Sequence, residues 1–406
     1  MIFGFAVCLD SFLYTFTILP LRFAVALWCW VRNSFRWIVA GEKVHLHSSH
    51  KCDMLKTLLI VFSCWILSQV TDTSKMYHSV RGQDVVKLYV IFNVLEIADR
   101  LCCSFGQDLL DSLFSRITLA RRKDGSQPYL RPLGFFLLSL AYILAHTLVL
   151  LYQLVTLNVA INSYDNALLT LLLSNQFVEI KGSVFKKFEK ENLFQLTCAD
   201  IVERFQLTLM LSAIGLRNLI EVSGSNSDGT SSGPLPTSFT VFPSLTLLET
   251  ILSPVLIVLA SECIVDWLKH AFITKFNHIR PAVYGRFMDV LCRDLVVAGP
   301  GRKEQARKHT FVDQSPIVSR RLGFAALPLA CLLVRVSSQI FNMLGDTSHF
   351  DECAMPGAHE LRGGLGFARK TARGFGAEEN GLFVWILELS LRGAAWALTI
   401  LIGWVS

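Results

Sequence analysis

Stretches of about twenty mostly apolar residues recur along this chain, and a helix of that length is what crosses a bilayer. They run from Phe3 to Val31, with Pro20 as an expected kink, and then over Leu55 to Val70, Leu133 to Val155, Phe239 to Val265 and Leu322 to Phe341. Leu382 to Val405 joins them despite Glu388 and Arg392. Two further segments are borderline. Val85 to Phe105 carries Lys87, Glu96, Asp99 and Arg100, and Phe205 to Ile220 is short and carries Arg217. The expectation is an all-α, polytopic integral membrane protein with about six to eight membrane segments. Composition agrees, because only 17% of the 406 residues are charged and the mean hydropathy is +0.46. A soluble domain carries about 25% charged residues.

The net charge of +6 is modest. In a membrane protein such an excess belongs first to cytoplasmic loops, so no nucleic-acid partner is expected. The 11 cysteines form no C-x-x-C pair, and several sit inside apolar runs as small buried residues. Cys102 and Cys103 are adjacent, a poor disulfide geometry but a possible palmitoylation site. No Asn-x-Ser/Thr sequon occurs. Met1 opens directly into apolar sequence containing Asp10, which reads as a first span and not as a cleaved leader.

Loop charge orients the spans. Between Asp266 and Leu322 lie Lys269, Lys275, Arg280, Arg286, Arg293, Arg302, Lys303, Arg307, Lys308, Arg320 and Arg321, which places this stretch in the cytoplasm. Arg116, Arg121, Arg122, Lys123 and Arg131 do the same for the loop before Leu133. Glu221 to Ser238 has no Lys or Arg and reads as a flexible linker on the far side. These assignments agree if Val85 to Phe105 crosses and Phe205 to Ile220 does not. They then put residues 174–190 in the lumen, whereas the lysines of that block favour the anionic cytoplasmic leaflet. Both sides stay open on sequence grounds.

That block, wound as a helix, aligns Phe177, Ile180, Val184 and Phe188 on one stripe, widened by Val178 and Phe185. Glu179, Lys186, Lys187 and Lys190 point away from it. A basic amphipathic helix beside membrane-grade sequence lies on anionic lipid or against a partner helix, or else packs on a neighbouring part of its own chain. The docking residues are Phe177, Lys181, Lys186, Lys187, Phe188 and Lys190.

Ionisable residues in or at the ends of spans are the other candidates. Glu262, Asp266, Lys269 and His270 share one face of a helix leaving the membrane, read as an ion or proton path, as an acid–base pair of Asp266 and His270, or as a locally bonded interfacial face. Asp99 and Arg100, with Asp108 and Asp111 beyond Gly106, form a second group. Two carboxylates near an arginine could bind a cation or an amine there, and the plain reading is helix-end charge with Gly106 as the helix stop. His45, His47 and His50 near Glu42 have zinc-type side chains without a zinc-site spacing, and read as a solvated loop. Gly364 and Gly366 lack the third glycine of a dinucleotide fingerprint, with Arg369 in its place. No catalytic, metal or cofactor motif is present, so neither an enzyme nor a cofactor is expected.

The segment Asn175-Gln-Phe-Val-Glu-Ile-Lys-Gly-Ser-Val-Phe-Lys-Lys-Phe-Glu-Lys190 resembles the signature of the transmembrane anterior posterior transformation protein family of eukaryotes. Cys8 to Tyr14, Leu19 to Arg22, Met76 to His78, Arg81 to Gln83, Asp99 to Leu101, Ser104 to Asp108, Lys269 to Asn277 and Arg321 to Leu329 are similar to the same family. The resemblance runs from near Met1 to about Ser338, giving a family-like membrane region 1–338. It leaves 339–406 as a divergent C-terminal region with a last span over 382–405. It implies a multi-pass protein of the endoplasmic reticulum membrane, with links to primary cilia, the centrosome or basal body and axial patterning, and to protein folding or quality control in fungal and plant relatives. It implies no enzymatic activity. The expected function is therefore a non-enzymatic scaffold or folding factor with protein partners at the endoplasmic reticulum or ciliary base. A transporter or channel is the alternative, and it requires Glu262, Asp266, Asp99 and Arg22 to converge. A membrane enzyme built on Asp266 and His270 is the third class.

Overall fold

A computed structural model of the chain describes residues 2–40, 48–115, 118, 130–162, 170, 177–178, 180–182, 186–187, 189–225, 245–298 and 321–352. Among the described residues the architecture is helical, with no strand. The first apolar run forms two helices, α1 (Ile2–Phe16) and α2 (Ile18–Ala40), divided at Thr17. Pro20 falls in the first turn of α2, where its missing N–H costs no intrahelical bond, so the expected kink is taken up as this break. Next come α3 (Ser48–Val70), the short α4 (Thr73–Arg81) and α5 (Val85–Leu113). They are followed by α6 (Leu130–Ile161), α7 (Lys190–Ser225), α8 (Leu245–Phe276), α9 (Ala282–Ala298) and α10 (Ala326–Glu352).

Among the described residues, three stretches are long and apolar enough to cross a bilayer: Ile2–Arg36 taken across the break, Ser49–Val70 and Leu130–Ile161. Ala326–Asn342 is a shorter apolar helix. The borderline segments 85–105 and 205–220 lie inside the continuous helices α5 and α7.

The centre of the bundle is α6. From Leu150 to Ala160 every residue except Tyr152 is buried, and a helix apolar and buried all round is an inner helix. It packs against α3, α4, α5, α7 and α10. One core joins Phe12 of α1, Leu154 of α6, Phe205 and Leu211 of α7, Val258 of α8 and Leu332 of α10. A second joins Leu59 and Leu67 of α3, Leu113 of α5, Phe136 and Ile143 of α6, and Cys331 of α10. Phe205 meets Phe5, Phe12 and Phe324 edge-on, with ring centroids 5.2, 5.8 and 5.4 Å away. Close to it, the side chain of Ile201 occupies the space a Cβ on Gly4 would need, so α1 and α7 approach through that glycine. Outward-facing Leu21, Trp28, Phe35 and Trp267 are exposed, as lipid-facing residues of a membrane bundle are. Lipid tails are as apolar as leucine, so burying leucines together does not by itself drive these helices to associate. Close packing and polar contacts between helices do.

Several expectations change. Gly106 is no helix stop: α5 continues to Leu113 and Gly106 is buried within it. Its missing side chain makes room for Tyr142, because a Cβ there would lie 1.8 Å from Tyr142 Cζ. Asp99 and Arg100 are accordingly mid-helix residues. Residues 174–190 are not one helix. Phe177, Val178 and Ile180–Gly182 are helical, but the chain bends at Lys186 and leaves helical geometry at Lys187 and Glu189. Glu189 O then accepts the Leu193 N–H at 3.0 Å and opens α7, and the Asn277 amide fixes the bend by donating to Lys186 O at 3.3 Å. Val184, Phe185 and Phe188 lie outside the described residues, as do Glu42, His45, His47, residues 226–238 of the expected linker and everything beyond Glu352, while the linker's first residues, Glu221 to Ser225, are the last turn of α7 instead. The basic stretch after Asp266 is largely helical where described: α8 runs on to Phe276, His278 turns the chain with φ +53, and α9 follows. Lys269, counted with that stretch, is fully buried.

Candidate functional site

Several buried ionisable side chains gather around one short piece of α7, Asp200 to Gln206. With 3.6 residues per turn, Asp200 and Arg204 share one face of this helix while Glu203 and Gln206 turn to another. The first face meets α8 and the second meets α5.

Toward α8 the side chains form a continuous ladder. Tyr284 of α9 and His270 Nδ1 are 2.9 Å apart, and His270 Nε2 is 2.8 Å from Asp200 Oδ2. The Lys269 ammonium donates to Asp200 Oδ1 at 2.9 Å and lies 3.3 Å from Asp266 Oδ1. Asp266 Oδ2 in turn pairs with Arg204 Nε at 2.7 Å, and Arg204 Nη1 also donates to Glu262. The side chains of Lys269, Asp266 and Asp200 are 0%, 1% and 3% exposed, so these pairs are made in low dielectric, where an unpartnered charge is costly. Burial by itself would raise the Asp200 carboxyl. Hydrogen bonds from His270 and Lys269 and the Lys269 charge outweigh it and hold the group below the usual carboxylate range. An ionised Asp200 only accepts, so His270 Nε2–H donates to it, and in the neutral ring Nδ1 accepts the Tyr284 hydroxyl proton. Burial and the Asp200 charge push the Tyr284 phenol up to about 12.

Toward α5, Gln206 Nε2 donates to Asp99 Oδ2 at 3.0 Å, and Asp99 Oδ1 is 2.7 Å from His146 Nε2 on α6. His146 is buried and its Nδ1 meets the Tyr142 hydroxyl at 2.9 Å. Arg100, exposed, pairs with Glu96 at 2.9 Å and reaches Glu203 at 3.4 Å. Asp99, Cys103 and His146 together offer ligand atoms within 4.8 Å of one another.

All five predicted span-end residues, Asp99, Arg100, Glu262, Asp266 and His270, therefore contact or neighbour this piece of α7, but with partners other than those expected. His270 pairs with Asp200 and not with Asp266, because Asp266 lies a turn earlier on α8 and faces Arg204 and Lys269. That removes the acid–base pair proposed for an enzyme. Arg22 stands apart, bonded to Asp53 at 3.0 Å, Tyr14 at 2.9 Å and Ser49 at 3.2 Å, so the convergence a transporter would need is not formed. The docking residues Phe177, Lys181, Lys186, Lys187 and Lys190 are exposed, and Phe188 is outside the described residues.

Sequence reasoning missed Asp200, Glu203, Arg204 and Gln206, and also Tyr142, His146 and Tyr284. A signal existed: Asp200 and Arg204 repeat at four residues, with charges complementary to those of α8. The borderline apolar segment Phe205 to Ile220 begins just after these residues.

Residues 46–405 match the family described as a eukaryotic membrane protein family. The match takes in the C-terminal stretch beyond Ser338. Endoplasmic reticulum membrane protein 65 of Schizosaccharomyces pombe is 47% identical over 355 residues, 85% of this chain and 52% of that protein. Transmembrane anterior posterior transformation protein 1 homolog of Homo sapiens is 41% identical over 354 residues, 86% of this chain and 56% of that protein. Protein TAPT1 homolog of Dictyostelium discoideum is 44% identical over 346 residues, 82% of this chain and 38% of that protein. The chain thus spans about half the length of the curated relatives it matches. No solved structure matches it.

Proposed function

Since the chain belongs to the eukaryotic membrane protein family that it matches over residues 46–405, we propose that it works as a non-enzymatic multi-pass scaffold or folding and quality-control factor of the endoplasmic reticulum membrane. A role at the ciliary base and in developmental patterning is part of the proposal, as the resemblance of residues 175–190 to the transmembrane anterior posterior transformation family implies. The name of the fission-yeast relative supports the endoplasmic reticulum.

The observation that carries the reading is the ladder between α7 and α8. Its charged groups are engaged with one another across helix interfaces, where they hold helices in register. Partners would then be met by the surface. Lys181, Lys186, Lys187, Lys190 and Phe177 are all exposed, a basic and partly aromatic set suited to an acidic protein segment or anionic lipid. The bond from Asn277 to Lys186 O fixes the chain at Lys186 beside the end of α8.

The test is Lys186→Glu with Lys187→Glu in cells. Cross-linked protein partners should fall away while insertion and localisation to the endoplasmic reticulum persist. Unchanged partner recovery contradicts the role given to these residues.

A further inference from the structure

We propose that Asp99, Cys103 and His146 form a binding site for one transition-metal dication, Zn²⁺ by the chemistry of its ligands. Asp99 and Cys103 lie four residues apart on one face of α5, and His146 faces them from α6. Their ligand atoms make a compact triangle. His146 Nε2 is 2.7 Å from Asp99 Oδ1, and Cys103 Sγ is 3.9 Å from the first and 4.0 Å from the second. Around tetrahedral zinc, bonds of about 2.0–2.3 Å put neighbouring ligand atoms roughly 3.3–3.6 Å apart. Two edges of the triangle therefore close slightly. The third, now bridged by a proton, opens when the cation replaces that proton.

The far sides of the ligands are already held. Tyr142 Oη meets His146 Nδ1 at 2.9 Å, and Gln206 Nε2 donates to Asp99 Oδ2 at 3.0 Å. Nε2 and Oδ1 are left facing each other beside the Cys103 thiol, and outer partners of this kind orient the ligands of metal sites. A cavity of about 100 Å³, lined by Cys103 and Tyr142 together with Gln107, Lys56 and Asp111, adjoins the triangle. It has room for the water that completes a four-coordinate site. A thiolate, an imidazole and a carboxylate suit Zn²⁺ better than Mg²⁺ or Ca²⁺. On binding, Cys103 gives up its proton to solvent. The His146 proton moves from Nε2 to Nδ1, where the Tyr142 oxygen accepts it. The dication with one thiolate and one carboxylate is then neutral, which suits the interior of a membrane protein.

The experiment uses the full chain purified in detergent, with any histidine tag removed. After chelator treatment it is titrated with Co²⁺ alone and, separately, with Zn²⁺ alone. One equivalent of either metal should bind, with a thiolate-to-cobalt charge-transfer band that Zn²⁺ abolishes. Cys103→Ser and His146→Gln should lose the band, and Tyr142→Phe should weaken Co²⁺ binding about 10–100-fold. Substoichiometric binding with no band in the unaltered protein overturns the proposal, and so does a band that persists in Cys103→Ser. If neither ligand variant can be purified, an unchanged Co²⁺ affinity in Tyr142→Phe overturns it and the expected loss supports it.

Discussion

Lys269 places its ammonium 2.9 Å from the Asp200 carboxylate with no exposed side-chain surface, and by this contact α8 is fastened to α7. Removing one member of such a pair leaves a charge in low dielectric. Lys269→Met should destabilise the protein by about 3–5 kcal/mol. Combining it with Asp200→Leu should recover part of that loss, because an apolar pair of similar volume replaces an ion pair at small net cost. Thermal unfolding in one detergent reads both; equal stability of Lys269→Met and the parent would deny the ladder its structural role.

The same carboxylate sets an acid limit. Asp200 is held below its ordinary value in the fold, so its contribution is present above the unfolded pKa, about 3.9. It is lost as pH falls through the lower folded value. The stability gap between the parent and Asp200→Asn should be constant from pH 7 to about 5 and should close below about 4. A gap that stays constant into acid would show that the ionised carboxylate is not what stabilises.

Gly106 and Tyr142 are complementary in shape. Gly106→Ala drives a methyl group into the Tyr142 ring and displaces its hydroxyl from His146, at a cost of about 1–3 kcal/mol. In a Tyr142→Ala background the same change should be nearly neutral. A double-mutant cycle measures the coupling.

Arg22 uses its planar fork on three partners from two neighbouring helices, Asp53, Tyr14 and Ser49. Arg22→Lys keeps the charge but cannot reproduce the fork, so it should cost about 1–3 kcal/mol. Protease resistance in detergent would fall accordingly. A lysine that substitutes without loss would mean that charge alone is used.

The run lengths of apolar residues determined the all-α membrane class, because hydrocarbon accepts few other backbones. The same pattern located α2, α3, α6, α8 and α10, and the break near Pro20. It also marked Glu262, Asp266, His270, Asp99 and Arg100 as unusual, since charge within such sequence is expensive wherever the chain folds. Partnership was a different matter. His270 bonds Asp200 across 70 positions and Asp99 bonds His146 across 47. Helical periodicity fixes which residues share a face but not which helix that face will meet. Nor does a glycine announce whether it ends a helix or, like Gly106, receives a tyrosine. Those choices were made by the packing of α5, α6, α7 and α8, where each buried charge had to find a partner at bonding distance.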